Sequence, residues 1–198
     1  MAATGRGGRR PTITEQARRS QFIEVTIELV ARRGSAGASL SQIAEAAGVS
    51  KAAVLYHFPT KNAVVEAAYE SVIHALVEHV EAAVAAHEGA SAVEAYIRSL
   101  VAYLRARPDH ARMLIAGIIG RGDGPGEASS QSRWQPVAAF VDAAKTAGTY
   151  RAQVDSRATA VIVNGAIDGI VAQGLDDPDF DTAHAADELV KMLNEALR

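Results

Sequence analysis

The N-terminal fold of this chain is set by one segment, Ala38-Ser-Leu-Ser-Gln-Ile-Ala-Glu-Ala-Ala-Gly-Val-Ser-Lys-Ala-Ala-Val-Leu-Tyr-His-Phe-Pro-Thr-Lys61. Ser39 precedes an apolar-periodic run and can accept a hydrogen bond from a helix's first turn, so a helix is predicted at residues 40–47. Gly48 should end that helix, because glycine enters the left-handed conformation without a side-chain penalty. Ser50 can cap a second short helix. Two short helices joined by a glycine-containing turn of about three residues form a helix-turn-helix, whose second helix enters the DNA major groove.

Charge is divided unevenly along the chain. Residues 1–61 hold nine Lys and Arg against four Asp and Glu, while residues 62–198 hold eleven against nineteen. A basic segment suits the phosphate backbone of nucleic acid, and an acidic remainder resists it. The division predicts one DNA-facing end, with a functional boundary near Lys61.

The composition favours a helical protein of the cytoplasm. With 198 residues, 48% hydrophobic, the chain can bury a full core, as one domain or two small ones. It has no cysteine, which excludes disulfides and thiolate metal sites and gives no sign of an oxidising compartment. The basic N-terminus lacks the apolar run of a signal peptide, and no stretch approaches about 18 uninterrupted apolar residues, so no membrane partner is expected.

The chain in order predicts an all-α protein of about nine helices in three parts. Residues 1–14 are rich in Gly and Arg and should form a disordered basic arm, either a solubilising tail or an arm that reaches the DNA minor groove. Residues 15–61 form the helix-turn-helix domain, with a first helix over Glu15–Arg33 that ends at Gly34. Residues 62–198 form a larger helical domain.

The larger domain follows a helix predicted from Lys61 to about Glu88, which could act as a lever from the DNA-binding head. Glycine, proline and serine at 120–131 predict a surface loop, before a helix from Arg133 to about Thr146. Two long helices, Ser156–Gly174 and Thr182–Leu197, complete the chain. The first of these is so apolar that burial on most sides is expected, and a homodimer interface would provide it.

Enzyme and metal chemistry have no support in the sequence. The histidines beyond the head lack His-x-x-x-His and His-Glu-x-x-His spacing, so no zinc site is predicted. Neither a Gly-x-Ser-x-Gly elbow nor a phosphate-binding glycine loop is present. We therefore expect no enzyme and no cofactor. The histidines concerned are His74, His79, His87, His110 and His184.

The segment Ala44–Lys61 resembles the TetR family of bacterial transcriptional regulators. Ala-Gly-Val-Ser-Lys at 47–51, followed at a fixed distance by Tyr-His-Phe-Pro at 56–59 and by a lysine, is more constrained than a generic helix-turn-helix. The match covers roughly residues 15–70, and the remainder agrees in layout. The resemblance implies a three-helix head followed by a helical ligand-binding and dimerisation domain.

The resemblance also implies a DNA-contacting surface. Ser39, Ser41 and Gln42, at the start of the first motif helix, would approach phosphates or a base edge, since a helix N-terminus favours anions. Lys51 would reach guanine or phosphate, and the methyl groups of Ala52 and Ala53 would pack on thymine methyls. His57 and Lys61 would hold phosphate oxygens. The full candidate set is Ser39, Ser41, Gln42, Ser50, Lys51, Ala52, Ala53, Leu55, Tyr56, His57 and Lys61.

Different roles are predicted for Leu55, Tyr56 and Phe58, which lie in or just after the second helix of the motif. Leu55 stands where many relatives have a tyrosine, which removes a hydroxyl contact, so the operator sequence cannot be transferred. Tyr56 is either a DNA contact or a core aromatic. Phe58 is predicted to be core.

The larger domain should hold a pocket for a small apolar or amphipathic effector, because such sites combine aromatic walls with a few polar groups. Asn164 and Asp168 lie four residues apart on an apolar helix, and buried polar groups need partners. They either bind ligand, bond neighbouring helices or cross a dimer axis. The candidate pocket residues are Tyr69, Tyr96, Tyr103, Met113, Trp134, Phe140, Asn164 and Asp168.

The resemblance thus implies a ligand-responsive transcriptional regulator, taken as a repressor. It would bind a palindromic double-stranded DNA operator as a homodimer through its last two helices and be released by a small-molecule effector. The alternative is a helical ligand-carrier or protein-interaction module that no longer binds DNA.

Overall fold

The computed structural model describes residues 12–120 and 126–198, and within those ranges the regular structure is entirely helical. The all-α fold predicted from the sequence is confirmed. The chain divides into two compact units, one ending at Tyr69 and the other running Glu70–Arg198. The nine helices of the described ranges are α1 Ile13–Gly37, α2 Leu40–Ala46, α3 Lys51–His57, α4 Lys61–Val84, α5 Ala90–Ala106, α6 Pro108–Gly120, α7 Gly126–Thr146, α8 Ser156–Asp176 and α9 Thr182–Leu197.

Helix α1 begins earlier than the sequence pattern predicted. Thr12 caps it through a capping box, in which the Thr12 hydroxyl accepts from Glu15 N and the Glu15 carboxylate accepts from Thr12 N at 2.6 Å. Residues 12–14, assigned above to the basic arm, therefore belong to the start of the helix. Residues 1–11 of that predicted arm lie outside the described residues. At the other end Gly34, with φ 69° and ψ 167°, interrupts α1 where the stop was predicted.

Helices α2 and α3 form the predicted helix-turn-helix. The Ser39 hydroxyl accepts from Gln42 N, and the Ser50 hydroxyl accepts from Ala53 N, each at 3.3 Å. Gly48 adopts a φ of 67°, which turns the chain between the two helices. Both predicted caps and the glycine stop are confirmed.

The first unit has its own hydrophobic core. Ala44 is 3% exposed, so α2 comes close to its neighbours at a position that has room for little more than a methyl group. Phe58 is buried, as predicted. The buried side chains of this core are Phe22, Ile43, Ala44, Ala47, Val54, Phe58 and Val64.

The second unit is built around α5, which packs against α7, α8 and α9, while α7 also packs along α8. Helix α4 ends at Val84, before the predicted Glu88. The chain turns there because Gly89 takes a φ of 58° and the Ser91 hydroxyl accepts from Glu88 N. The buried side chains of this core include Val93, Ile97, Val101, Tyr103, Val137, Val141, Val163, Ile167 and Val190.

Helix α7 is longer than predicted. It begins at Gly126, so residues 126–131 of the expected loop are helical, while Gly120 ends α6 and residues 121–125 lie outside the described ranges. The glycines and the proline that indicated a loop all precede Glu127. Serine costs a helix little compared with glycine or proline, so the serines that follow extend α7.

Helix α8 is not buried on most sides within a single chain. Val161 and Ile162 are 53% and 63% exposed, and Met192 of α9 is 65% exposed. By length and composition α8 is the helix of the described residues that could cross a membrane, with a mean hydropathy of 1.4 and a third of that window buried. A core helix or an interface helix of a soluble protein has the same composition, so composition alone does not indicate a membrane span. The exposed apolar side chains are instead typical of a surface that contacts a partner.

Candidate nucleic-acid interface

Helix α3 separates a buried side from an exposed side. Val54 lies fully in the core of the first unit, and Phe58 follows one turn later. On the other side Leu55 is 40% exposed and Tyr56 is 75% exposed, which excludes Tyr56 as a core aromatic. Lys51 and Ala52 are exposed too, whereas Ala53 and His57 are half-buried. The exposed side can therefore approach a partner without unfolding the head.

The aromatic side chains at the end of α3 support one another. The Tyr56 and His57 rings meet edge-on, with centroids 5.0 Å apart, and His57 also meets the buried Phe22 ring at 5.5 Å. The Tyr56 hydroxyl donates to Glu15 Oε1 at 3.3 Å. These contacts fix both side chains with respect to α1, so His57 has a structural role in addition to the predicted phosphate contact.

Arg19 of α1 contacts the C-terminal end of α3, a role that the sequence did not predict. Its guanidinium stacks over the Phe58 ring at 4.1 Å and donates to the His57 carbonyl oxygen at 3.2 Å. That carbonyl is one of the acceptors that a helix end leaves unpaired. Arg19 lies far from α3 in sequence, and nothing in its local pattern indicated this contact.

The start of α2 also presents polar groups. Ser41 is exposed, while Gln42 is half-buried and its side-chain oxygen accepts from the Ser39 hydroxyl at 2.9 Å. Ser39 and Gln42 thus already satisfy part of each other's bonding capacity, and Ser41 is the outward-facing member of the three.

Among the described residues, no ion pair neutralises Lys51 or the half-buried Lys61. The two lysines remain available to an anion.

The residues proposed for an effector pocket fall into separate clusters of the second unit. In the first, the Tyr96 hydroxyl donates to Asn164 Oδ1 at 2.9 Å, the Asn164 amide donates to the Arg133 carbonyl at 3.0 Å, and Phe140 lies against the Tyr96 ring. Asp168 pairs with Arg133 at 2.7 Å. Asn164 and Asp168 therefore bond neighbouring helices, one of the three alternatives above. Burial raises the pKa of Tyr96 to about 12.

A second cluster surrounds Tyr103. Its hydroxyl lies 2.9 Å from His110 Nδ1, its ring faces that of His79 at 5.2 Å, and the Arg107 guanidinium stacks on it at 4.5 Å. Burial, followed by the Arg107 charge, lowers the pKa of His110 and favours the neutral ring. The other three candidates belong to neither cluster. Met113 is buried, and Trp134 is half-buried with the Arg157 guanidinium over its ring. Tyr69 is half-buried and is the last residue of the first unit.

A small cavity of about 70 Å³ lies in the second unit. None of the predicted pocket residues lines it. Its wall is formed by Val101, Leu104, Arg105, Pro108, Val171, Gly174, Leu175 and Thr182. No group of three or more His, Asp or Glu in the described ranges is arranged to hold a metal ion.

The geometry defines a class of protein: a capped helix-turn-helix head with an outward-facing second helix, followed by a separate helical unit. Residues 22–68 match the family model described as bacterial regulatory proteins, tetR family. A segment of 59 residues is 42% identical to the HTH-type transcriptional regulator BetI of Ectopseudomonas mendocina (strain ymp), and it covers 30% of each chain. The resemblance to the TetR family is confirmed, and the first unit is a TetR-family head.

Solved structures agree over almost the whole chain. The transcriptional regulator FadR from Bacillus subtilis, in complex with stearoyl-CoA, has a TM-score of 0.78 at 16% identity over 90% of this chain and 99% of that chain. A regulator from Saccharomonospora viridis in complex with choline has a TM-score of 0.77 at 20% identity over 92% and 98%. At such identities the comparison shows a shared fold. The family and these relatives are transcriptional regulators and not enzymes.

Proposed function

We propose that this protein is a ligand-responsive transcriptional repressor of the cytoplasm, which binds a palindromic operator as a homodimer and is released by a small-molecule effector. The observation that carries the proposal is the outward face of α3, where Lys51, Ala52 and Tyr56 are exposed while Val54 and Phe58 hold the helix in place. A recognition helix needs this arrangement, because its N-terminal side chains must reach base edges in the major groove.

In this proposal the side chains of the head contact two parts of the DNA, the base edges and the phosphates. Lys51 and Ala52, at the N-terminus of α3, meet the base edges, with Ala53 at the margin of the surface. Ser41, Ser50, Tyr56 and Lys61 meet phosphates, which fix the register of the head on the duplex. His57 contributes through whichever part of its half-buried ring remains accessible.

Exposed apolar side chains of the second unit support a homodimer. Val161 and Ile162 of α8 and Met192 of α9 are exposed apolar side chains, which a second copy of the same two helices would cover. Two heads related by a two-fold axis would read two half-sites of a palindrome.

Release by an effector is supported by the relatives, since the solved structures include complexes with stearoyl-CoA and with choline. We propose that an apolar or amphipathic effector binds within the second unit, where Tyr96 and Phe140 supply aromatic groups of the kind that line ligand sites. Its binding changes the conformation of that unit, so that DNA is released.

The test is binding of the full chain to the DNA upstream of its own gene, measured by fluorescence anisotropy. A duplex of the same length and base composition in scrambled order is the control. The proposal expects tighter binding to the upstream DNA and a steep loss of affinity for both duplexes as salt rises. Absence of any salt-sensitive, sequence-preferring complex would favour the carrier or protein-interaction alternative.

A further inference from the structure

The Glu15 carboxylate joins the N-terminus of α1 to the exposed phenol of α3. Its Oε2 accepts from Thr12 N at 2.6 Å, which completes the capping box. Its Oε1 lies 3.3 Å from the Tyr56 hydroxyl, which donates to it. A capping box needs one acceptor oxygen, so the cap accounts for the first contact and leaves the second unexplained.

The second contact places the Glu15 carboxylate against the Tyr56 hydroxyl, which is one of the groups proposed to contact DNA. A phosphate oxygen of DNA has the same chemistry as Glu15 Oε1, namely an anionic acceptor for the Tyr56 hydroxyl. A phosphate and a carboxylate repel each other at this range, by about 1 kcal/mol at 4 Å even in water. The Tyr56 hydroxyl therefore cannot contact Glu15 and a DNA phosphate at the same time without a cost in free energy.

We propose that Glu15 occupies the position of a DNA phosphate on Tyr56 in the free protein and is displaced when DNA binds. The inference rests on the proposed function, because it requires Tyr56 to meet the DNA backbone. Glu15 then opposes binding, and removing its charge strengthens the complex.

The chain offers a variant that removes the charge and keeps the cap. In Glu15→Gln an amide oxygen still accepts from Thr12 N, since glutamine also completes a capping box. Glu24→Gln is the matched control: Glu24 is exposed on the same helix, about two and a half turns further on at 3.6 residues per turn, and hence on the opposite side. Both variants lose one negative charge, and both should unfold thermally close to the wild-type temperature.

Affinity is measured with a labelled duplex of arbitrary sequence at low salt, because phosphate contacts require no particular sequence. Glu15→Gln should bind about two- to fivefold more tightly than wild type, the range of an exposed charge interaction, and Glu24→Gln should bind like wild type. In a Tyr56→Phe background the gain from Glu15→Gln should fall by about half or more, because no hydroxyl remains to be released.

The inference is overturned, with the proposed function intact, when wild type binds the duplex and Glu15→Gln binds no more tightly. An equal gain from Glu15→Gln in the wild-type and Tyr56→Phe backgrounds overturns it as well, since Glu15 would then act through bulk charge alone. If neither wild type nor Glu15→Gln binds this duplex or the DNA upstream of the gene, the proposed function itself is overturned.

Discussion

The side chains of α3 and of the residue after it are divided between the core of the head and its exposed surface. Val54 and Phe58 are buried in the head, and Arg19 ties the helix end to α1 through the Phe58 ring and the His57 carbonyl. Lys51 and Tyr56 point outward. A substitution on the outward side should therefore change DNA binding without changing the fold.

Lys51→Ala should weaken DNA binding and leave thermal stability nearly unchanged. The side chain is exposed and has no ion-pair partner among the described residues. If Lys51 meets a phosphate, the slope of log affinity against log salt should fall by about one. Lys191→Ala on α9, which also removes an exposed lysine, should leave both the affinity and the slope unchanged. A loss of folding in Lys51→Ala would contradict its surface assignment.

His57→Ala should affect both binding and stability. From the sequence alone His57 could be expected to act purely at the surface, but its ring contacts Phe22 and Tyr56. Loss of these edge-on contacts should lower the free energy of unfolding by about 0.5–1.5 kcal/mol each at most. Urea denaturation would measure this change, and a variant with wild-type stability would show that the ring contacts contribute nothing.

The two short helices of the head depend on caps and on one backbone conformation. Ser39, Gly48 and Ser50 could be predicted, because capping and left-handed glycine are local properties of the sequence. The end of α4 could not, because the turn at Gly89 is followed by a bond from Ala90 N to the Thr149 hydroxyl, which is distant in sequence. The start of α7 could not, because serine is found both in loops and in helices.

Gly48→Ala should lower the free energy of unfolding of the head by about 1–2 kcal/mol, the cost of a left-handed conformation for an L-residue. A Cβ at Gly48 would meet nothing within 4 Å, so the cost would come from the backbone alone. Gly148→Ala makes the same change in the second unit, because Gly148 has a φ of 72° and a Cβ there would also meet nothing within 4 Å. It should lower the stability of that unit by a similar amount. Unchanged stability of both variants in denaturant melts would refute the conformational explanation.

At the scale of the whole molecule, the uneven distribution of charge along the sequence agrees with the division into two units. The side-chain contacts within the second unit, in contrast, could not be predicted from the sequence. The sequence supplied Asn164 and Asp168 as polar residues on an apolar helix, and only the folded chain identifies Tyr96 and Arg133 as their partners. Val161 and Ile162 of α8 are exposed in the single chain, whereas the sequence predicted burial of this helix with the help of a homodimer interface. Their exposure is the basis of the proposed dimer.

Val161→Glu should convert a dimer into monomers, because a charge on the proposed interface must be desolvated without a partner. Val77→Glu on α4 is the matched control, since Val77 is 43% exposed and Val161 is 53% exposed. Sedimentation equilibrium of the two variants should give a monomer for Val161→Glu and a dimer for Val77→Glu. A dimer in both cases would place the interface elsewhere.

In the proposed function, two copies of the head read one palindromic operator. Hydroxyl-radical footprinting of the DNA upstream of the gene tests it most directly. Two protected half-sites related by two-fold symmetry are expected, separated by one helical turn of about 34–36 Å or a multiple of it, and both should need a higher concentration of Lys51→Ala than of wild type for protection. A single protected half-site, or no protection at concentrations that saturate binding, would contradict it.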